Sequence, residues 1–153
     1  MCEVNYLVDQ ASKLSTEKGF WRDYDNFIKK MKKFSSDFNQ KDLDRLKLAF
    51  YNEKISLISS ELGEATEAMR TNKYCQLTEE QIKIMFALKD EEDPLKYQGS
   101  YQTHIKDTFQ DEIADAMIRL FDLCHKMDID IEKFILLKME YNKSRGVKHG
   151  KKF

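Results

Sequence analysis

Apolar residues in this chain recur at intervals of three and four, the period of a helix with one buried face, and almost nowhere at the alternating period of a strand. Val4, Leu7, Val8, Ala11 and Leu14 predict a first helix that ends at Gly19-Phe20-Trp21. Tyr24, Phe27, Ile28 and Met31, set among Lys29, Lys30, Lys32 and Lys33, predict a short second one. A long element follows from about Asp42 to Thr71, through Leu46, Ala49, Phe50, Ile55, Leu57, Ile58, Leu62, Ala65 and Met69. Thr78 followed by Gln81 reads as a capping box opening a shorter helix with Ile82, Met85, Phe86 and Leu88 on its apolar face. The acidic run Asp90 to Asp93 and Pro94 break the pattern, since proline cannot continue a helix. Helical spacing resumes at Ile105 and runs through Phe109, Ile113, Ala116, Met117, Leu120 and Cys124. After the punctuation from Asp128 to Asp130, Ile131, Phe134, Ile135 and Leu137 carry a final helix towards Tyr141. The expectation is an all-α bundle of four to six helices in a single domain, 1–153, without internal repeat or interdomain linker.

Composition agrees with this. With 153 residues, 41% of them hydrophobic, the chain has enough apolar material for one core. Five glycines and one proline are few, which favours long helices over a turn-rich β fold. The net charge of −1 points to neither a nucleic-acid coat nor an acidic disordered tail. Positive charge gathers near Lys29 to Lys33 and in a basic C-terminal tail, 143–153, which has five Lys or Arg and no acid, rather than over the broad face that nucleic acid would require. Cys2, Cys75 and Cys124 lack the paired spacing of a zinc or redox site, so a reducing intracellular setting, cytoplasmic or nuclear, is expected. No apolar stretch reaches the roughly 20 residues of a membrane span, and the N-terminus does not have the make-up of a signal peptide.

The candidate chemistry is acidic. Glu61 and Glu64 stand three apart in the long helix, and Glu112 and Asp115 three apart in a later one, a spacing that lets each pair share a ligand. At about 100° per residue Glu61 falls within the apolar sector of Leu57, Ile58 and Leu62, with Glu64 at its margin and Glu67 further out. Glu112 likewise falls beside the stripe of Ile105, Phe109, Ile113 and Ala116, with Asp115 further round. Two readings stand. The acids are exposed and paired with basic residues on neighbouring turns, or they hold a divalent cation that offsets the cost of carboxylates against an apolar bundle. An all-oxygen donor set without Cys or His favours Mg²⁺, with Mn²⁺ as a substitute, over Zn²⁺. Gly63 between the first two acids costs about 1 kcal/mol against Ala and asks for a local reason, such as close approach of a ligand or a backbone.

Three segments, Ile58-Ser59-Ser60-Glu61-Leu62-Gly63-Glu64-Ala65, Glu112-Ile113-Ala114-Asp115-Ala116-Met117-Ile118-Arg119-Leu120 and Lys138-Met139-Glu140-Tyr141-Asn142-Lys143-Ser144-Arg145 with the tail to Phe153, resemble the MazG-like branch of the all-α NTP pyrophosphatases, and Gly19-Phe20-Trp21 resembles a fourth family element. The resemblance covers most of the chain in the family's order and is interrupted around 72–105. It implies hydrolysis of a nucleoside triphosphate between the α and β phosphates, with Mg²⁺ held by Glu61, Glu64, Glu112 and Asp115. It also implies a bundle that assembles as a homodimer or homotetramer. Two departures stand out: Ser60 occupies a place where the family pattern has Glu, and the long separation of Glu64 from Glu112 marks 72–102 as an insertion. Lys138, Asn142 and Arg145 recur at helical intervals near the last helix end, where they are expected to contact phosphate or sugar, the other reading of Lys138 and Arg145 being solvated charges that meet the helix dipole, and Trp21 is a core residue or a candidate to stack on a base, as which such a residue serves less often. The competing expectation is a non-catalytic helical binding or regulatory module whose acids decorate its surface and whose basic tail meets a partner.

Overall fold

A computed structural model describes residues 3–33, 39–90 and 94–145, with the side chain of Asp90 left aside, and all regular structure among them is helical. The order is α1 (Glu3–Glu17), α2 (Arg22–Lys33), α3 (Gln40–Arg70), α4 (Glu79–Asp90), α5 (Pro94–His104), α6 (Phe109–Lys126) and α7 (Ile131–Lys143). Cys2, residues 91–93, His149 and the basic tail from 146 onward lie outside the described residues. No helix among those described is long and apolar enough to cross a membrane.

Among the described residues seven helices therefore stand where four to six were expected. The addition is α5, which occupies much of the expected insertion and starts at the residue read only as a breaker. Pro94 does end what precedes it, but at the first position of a helix its missing N–H is one of those left unpaired anyway and its fixed φ suits the helical backbone. Helix α6 begins at Phe109, not at Ile105, because Asp107 adopts left-handed backbone (φ 61°) and turns the chain. Left-handed residues also close three other helices: Gly19 (φ 76°), Asn72 (φ 57°) and Asp128 (φ 55°). At each of these ends the next N–H reaches back to a carbonyl in the preceding turn, Phe20 to Ser15, Lys73 to Ala68 and Ile129 to Cys124. The capping box takes the expected form, with Gln81 Oε1 accepting from the Thr78 N–H at 2.9 Å while Thr78 Oγ1 accepts from the Gln81 N–H at 3.3 Å.

The chain divides into two units, whose boundaries fall within α3 and α6. The first, Met1–Tyr51 with Ile118–Phe153, has a core in which Val8, Ala11 and Phe121 are buried and Val4 and Ile131 pack against them. Trp21 and Tyr24 extend it through edge-to-face ring contacts, Trp21 on Tyr24 at 5.6 Å and Tyr24 on Phe50 at 5.1 Å. At its polar centre the buried Asp122 accepts hydrogen bonds from Ser15 Oγ and Trp21 Nε1, both at 2.7 Å.

The second unit, Asn52–Met117, buries Ala65, Ala68, Met85 and Ala116. Helices α4 and α5 form a packed pair in which Ser100 Oγ donates to Met85 Sδ. The loop after α3 is tied to the start of α6 by Phe109 N–H donating to the Lys73 carbonyl (2.9 Å) and the Cys75 N–H donating to Gln110 Oε1 (3.0 Å).

No backbone or side chain among the described residues closely approaches Gly63. A methyl group added there meets nothing within 4 Å. Gly63→Ala is accordingly expected to stabilise the chain by about 0.5–1 kcal/mol, or roughly 1–4 °C in thermal denaturation. A fall in melting temperature would reveal a close approach to that face.

Candidate metal centre

The acids that matter chemically sit on the stretch of α3 around Glu61 and on the first two turns of α6, both within the second unit. The start of α6 is fixed locally. Thr108 acts as its cap: its carbonyl accepts from Glu112 N–H at 3.1 Å and its hydroxyl lies 3.4 Å from Asp111 N–H. Asp111 reaches back to accept from the N–H of Asp107, the residue before the cap, at 2.9 Å, and also accepts a hydrogen bond from the Tyr101 hydroxyl of α5. Burial, then the hydrogen bond to Asp111 and the nearby charges of Asp111 and Asp115, hold the Tyr101 phenol well above its ordinary value, so it remains a protonated donor.

Within this frame one carboxylate oxygen each from Glu61, Glu112 and Asp115 come within 4.8 Å of one another. Glu61 and Glu112 are each only 7% exposed, while Asp115 is open to solvent. Like charges so close raise the cost of ionising the buried member among them. Glu112 feels this most: burial first, then the charges of Glu64, Asp111, Glu61 and Asp115, push its carboxyl above the usual carboxylate range. No hydrogen bond or ion pair among the described residues compensates its side chain. A buried carboxylate left in that condition is costly unless a cation arrives.

A second acidic group, Asp107, Asp111 and Glu112, meets the same distance limit. Its chemistry differs, because Asp111 is occupied by Tyr101 and the Asp107 backbone, and Asp107 is paired with Lys106 Nζ. Asp111 therefore supports the start of α6, and Glu112 points its open charge into the first group.

The projection around α3 and α6 thus matches the burial seen: Glu61 and Glu112 inward, Glu64 and Asp115 outward, Glu67 exposed and bonded to Arg70 at 2.8 Å. Glu64 is not one of the three oxygens in mutual reach but acts on Glu112 through its charge, and it accepts from Ser60 Oγ at 3.5 Å. Ser60, at the position where the resemblance has an acid, is exposed.

The expected substrate-binding residues are not brought to these acids by any described contact. Lys138 and Asn142 lie on α7 and Arg145 just past it, all exposed and all in the first unit. Lys138 Nζ stands 4.9 Å and the Arg145 guanidinium 5.6 Å from the Tyr141 ring centre, cation–π contacts that make Tyr141 the organising residue of that helix end. Trp21 is 4% exposed, its ring packed on Tyr24 and under Lys126 Nζ and its N–H spent on Asp122. That is a core position and not an open face on which a base would stack. Of the histidines, His125 faces Asp9 at 3.7 Å on the surface.

Sequence reading missed Asp111, Tyr101 and Asp122. For Asp111 a local signal existed, since Thr108-Phe109-Gln110-Asp111 before an apolar run has the form of a helix cap. For the other two there was none. Comparison of the chain with models of known protein families, with curated proteins and with solved structures gives no match.

Proposed function

We propose that this chain is a Mg²⁺-dependent nucleoside triphosphate pyrophosphohydrolase of the MazG-like kind, releasing the monophosphate and pyrophosphate. The observation that carries the reading is the convergence of Glu61, Glu112 and Asp115, drawn from two helices, with the buried Glu112 carboxylate offset by no hydrogen bond or ion pair among the described residues. Helices of a purely structural kind place their acids outward, against water or a basic partner, as Glu67 is placed against Arg70.

The donors fit the ion. They are carboxylate oxygens alone, the hard ligands that Mg²⁺ and Mn²⁺ prefer and that give zinc no advantage. Glu61, Glu112 and Asp115 would hold the cation, with Glu64 one turn along α3 adding to the negative field that draws it in. Once bound, Mg²⁺ neutralises phosphate charge and makes water a better nucleophile. The carboxylates would fix its position, and the burial of Glu61 and Glu112 would lower the local dielectric, so that charge developing on the phosphate chain is more strongly felt. Lys138, Asn142 and Arg145 keep the role of phosphate or sugar contacts in this reading. Assembly as a homodimer or homotetramer belongs to it as well: Phe134, Leu136, Leu137, Met139 and Tyr141 of α7 are all more than half exposed, more apolar surface than a lone helix usually leaves to water.

The test is a panel of ribo- and deoxyribonucleoside triphosphates, with product analysis in the presence and absence of Mg²⁺. Monophosphate and pyrophosphate in equal amounts, only when Mg²⁺ is supplied, are the expected products. Inorganic phosphate in place of pyrophosphate, or no turnover of any triphosphate, would sink the assignment.

A further inference from the structure

Beside the acids, and within the same unit, lies a cleft of about 580 Å³ between the loop that follows α3 and the turn that joins α5 to α6. Its lining includes Lys73, His104 and Lys106 and a single carboxylate, Asp107. That carboxylate is already paired with Lys106 Nζ, so the cleft carries a net positive charge. Thr103, Thr108 and Gln76 add uncharged hydrogen-bonding groups around it.

The placement of this cleft is not accidental to the acids. Lys73 is anchored where its carbonyl accepts the Phe109 N–H at the first residue of α6, one turn before Glu112. Tyr74 beside it packs on the Phe109 ring at 5.7 Å, which fixes the wall and leaves that aromatic face engaged. Asp107 belongs to both features, since it lines the cleft and has a carboxylate oxygen within 4.8 Å of those of Asp111 and Glu112. A basic, donor-rich hollow thus begins where the acidic cluster ends.

Resting on the hydrolase reading above, we propose that this cleft binds the diphosphate end of the substrate, the part that leaves as pyrophosphate, through Lys73, Lys106 and His104. The acids with their cation take one side of the phosphate chain, and the cleft takes the excess negative charge beyond it. Phosphate chemistry, and not a nucleoside, suits the lining: cations and N–H or O–H donors predominate, and the Tyr74 ring is spent on Phe109. Lys73, at the start of the expected insertion 72–102, then joins His104 and Lys106, just past its end, in a substrate subsite.

Titration calorimetry of the full chain with inorganic pyrophosphate, in EDTA and again with Mg²⁺, tests this. Lys73 and Lys106 are exposed, so replacing both by Ala leaves the fold intact. The double variant is expected to bind pyrophosphate about tenfold more weakly even in EDTA, each lost charged contact removing part of about 1.4 kcal/mol. Equal affinity of wild type and double variant overturns the cleft, as does displacement of pyrophosphate by an unphosphorylated nucleoside. The two readings fail separately. Pyrophosphate binding that depends on Lys73 and Lys106 in a chain that hydrolyses no triphosphate sustains the anion site and removes the hydrolase. Hydrolysis whose product binds without regard to these lysines does the reverse.

Discussion

Glu112→Gln is expected to lower Mg²⁺-dependent triphosphate hydrolysis by 100-fold or more, on the order of the loss seen when one charged group central to a preorganised site is removed, and at the same time to make the metal-free chain more stable. The two effects have one cause. Glu112 is buried, close to Glu61 and Asp115, and under the charges of Glu64 and Asp111. Its ionised form is a strong ligand and a poor tenant of the folded chain. The amide keeps the shape, removes the charge and so relieves the repulsion. Relief of about 1 kcal/mol corresponds to roughly 2–4 °C in a chain of this length. Thermal denaturation with and without Mg²⁺ reads it: wild type should be raised by the ion, the variant should start higher and respond little. A variant that melts lower than wild type in EDTA, or that keeps full turnover, would remove Glu112 from the centre of the site.

The same group sets a pH dependence whose sign follows from its direction of shift. A carboxyl held above its unfolded value binds more protons in the folded chain than in the unfolded one over the interval between the two pKa values. Its contribution therefore favours the fold in acid and is lost as pH rises above the ordinary glutamate range through the raised folded value. Mg²⁺, by favouring the ionised form, should flatten this decline, and Glu112→Gln should abolish it.

How much of this was legible in the sequence depends on the distance over which each cause acts. The pattern around α3 put Glu61 inward, Glu64 at the margin of the apolar sector and Glu67 further out, and Glu61 is found buried and the other two exposed, because rotation per residue is a local property of the helix. The cap at Thr78 was equally local. The start of α6 was misplaced for the opposite reason: Ile105 fits the apolar period, yet the left-handed Asp107 and the Thr108 cap stop the helix from reaching it. Periodicity gives the phase of a helix and says little about its ends. That Glu61 and Glu112 meet at all depends on the packing of segments some fifty residues apart, about which neither pair is informative alone. Asp122 lies furthest from reach, since its partners Ser15 and Trp21 precede it by 107 and 101 residues.

Trp21→Ala is expected to cost about 3–5 kcal/mol, a loss typical of a large aromatic removed from a core, and to lower the melting temperature by about 10 °C or more. Three interactions go at once: the edge-to-face contact with Tyr24, the position under Lys126 Nζ, and the hydrogen bond from Nε1 to Asp122. The last is the most expensive to leave unmade, because Asp122 is 9% exposed and would be left with the hydrogen bond from Ser15 Oγ. A buried carboxylate that loses a donor forfeits the compensation that allowed its charge inside. Trp21→Phe separates the parts. It keeps most of the ring contact and deletes the N–H, so about 1–3 kcal/mol of the loss should persist, and Asp122→Asn, which lowers the charge to be satisfied, should then soften the effect of Trp21→Phe in a double-mutant cycle. The aromatic face itself decides between a core residue and a base-stacking one. With Trp21 buried to 4% exposure, the Phe variant should bind triphosphate with unchanged KM in whatever fraction remains folded. A raised KM at unchanged melting temperature would place the ring against substrate and overturn its assignment to the core.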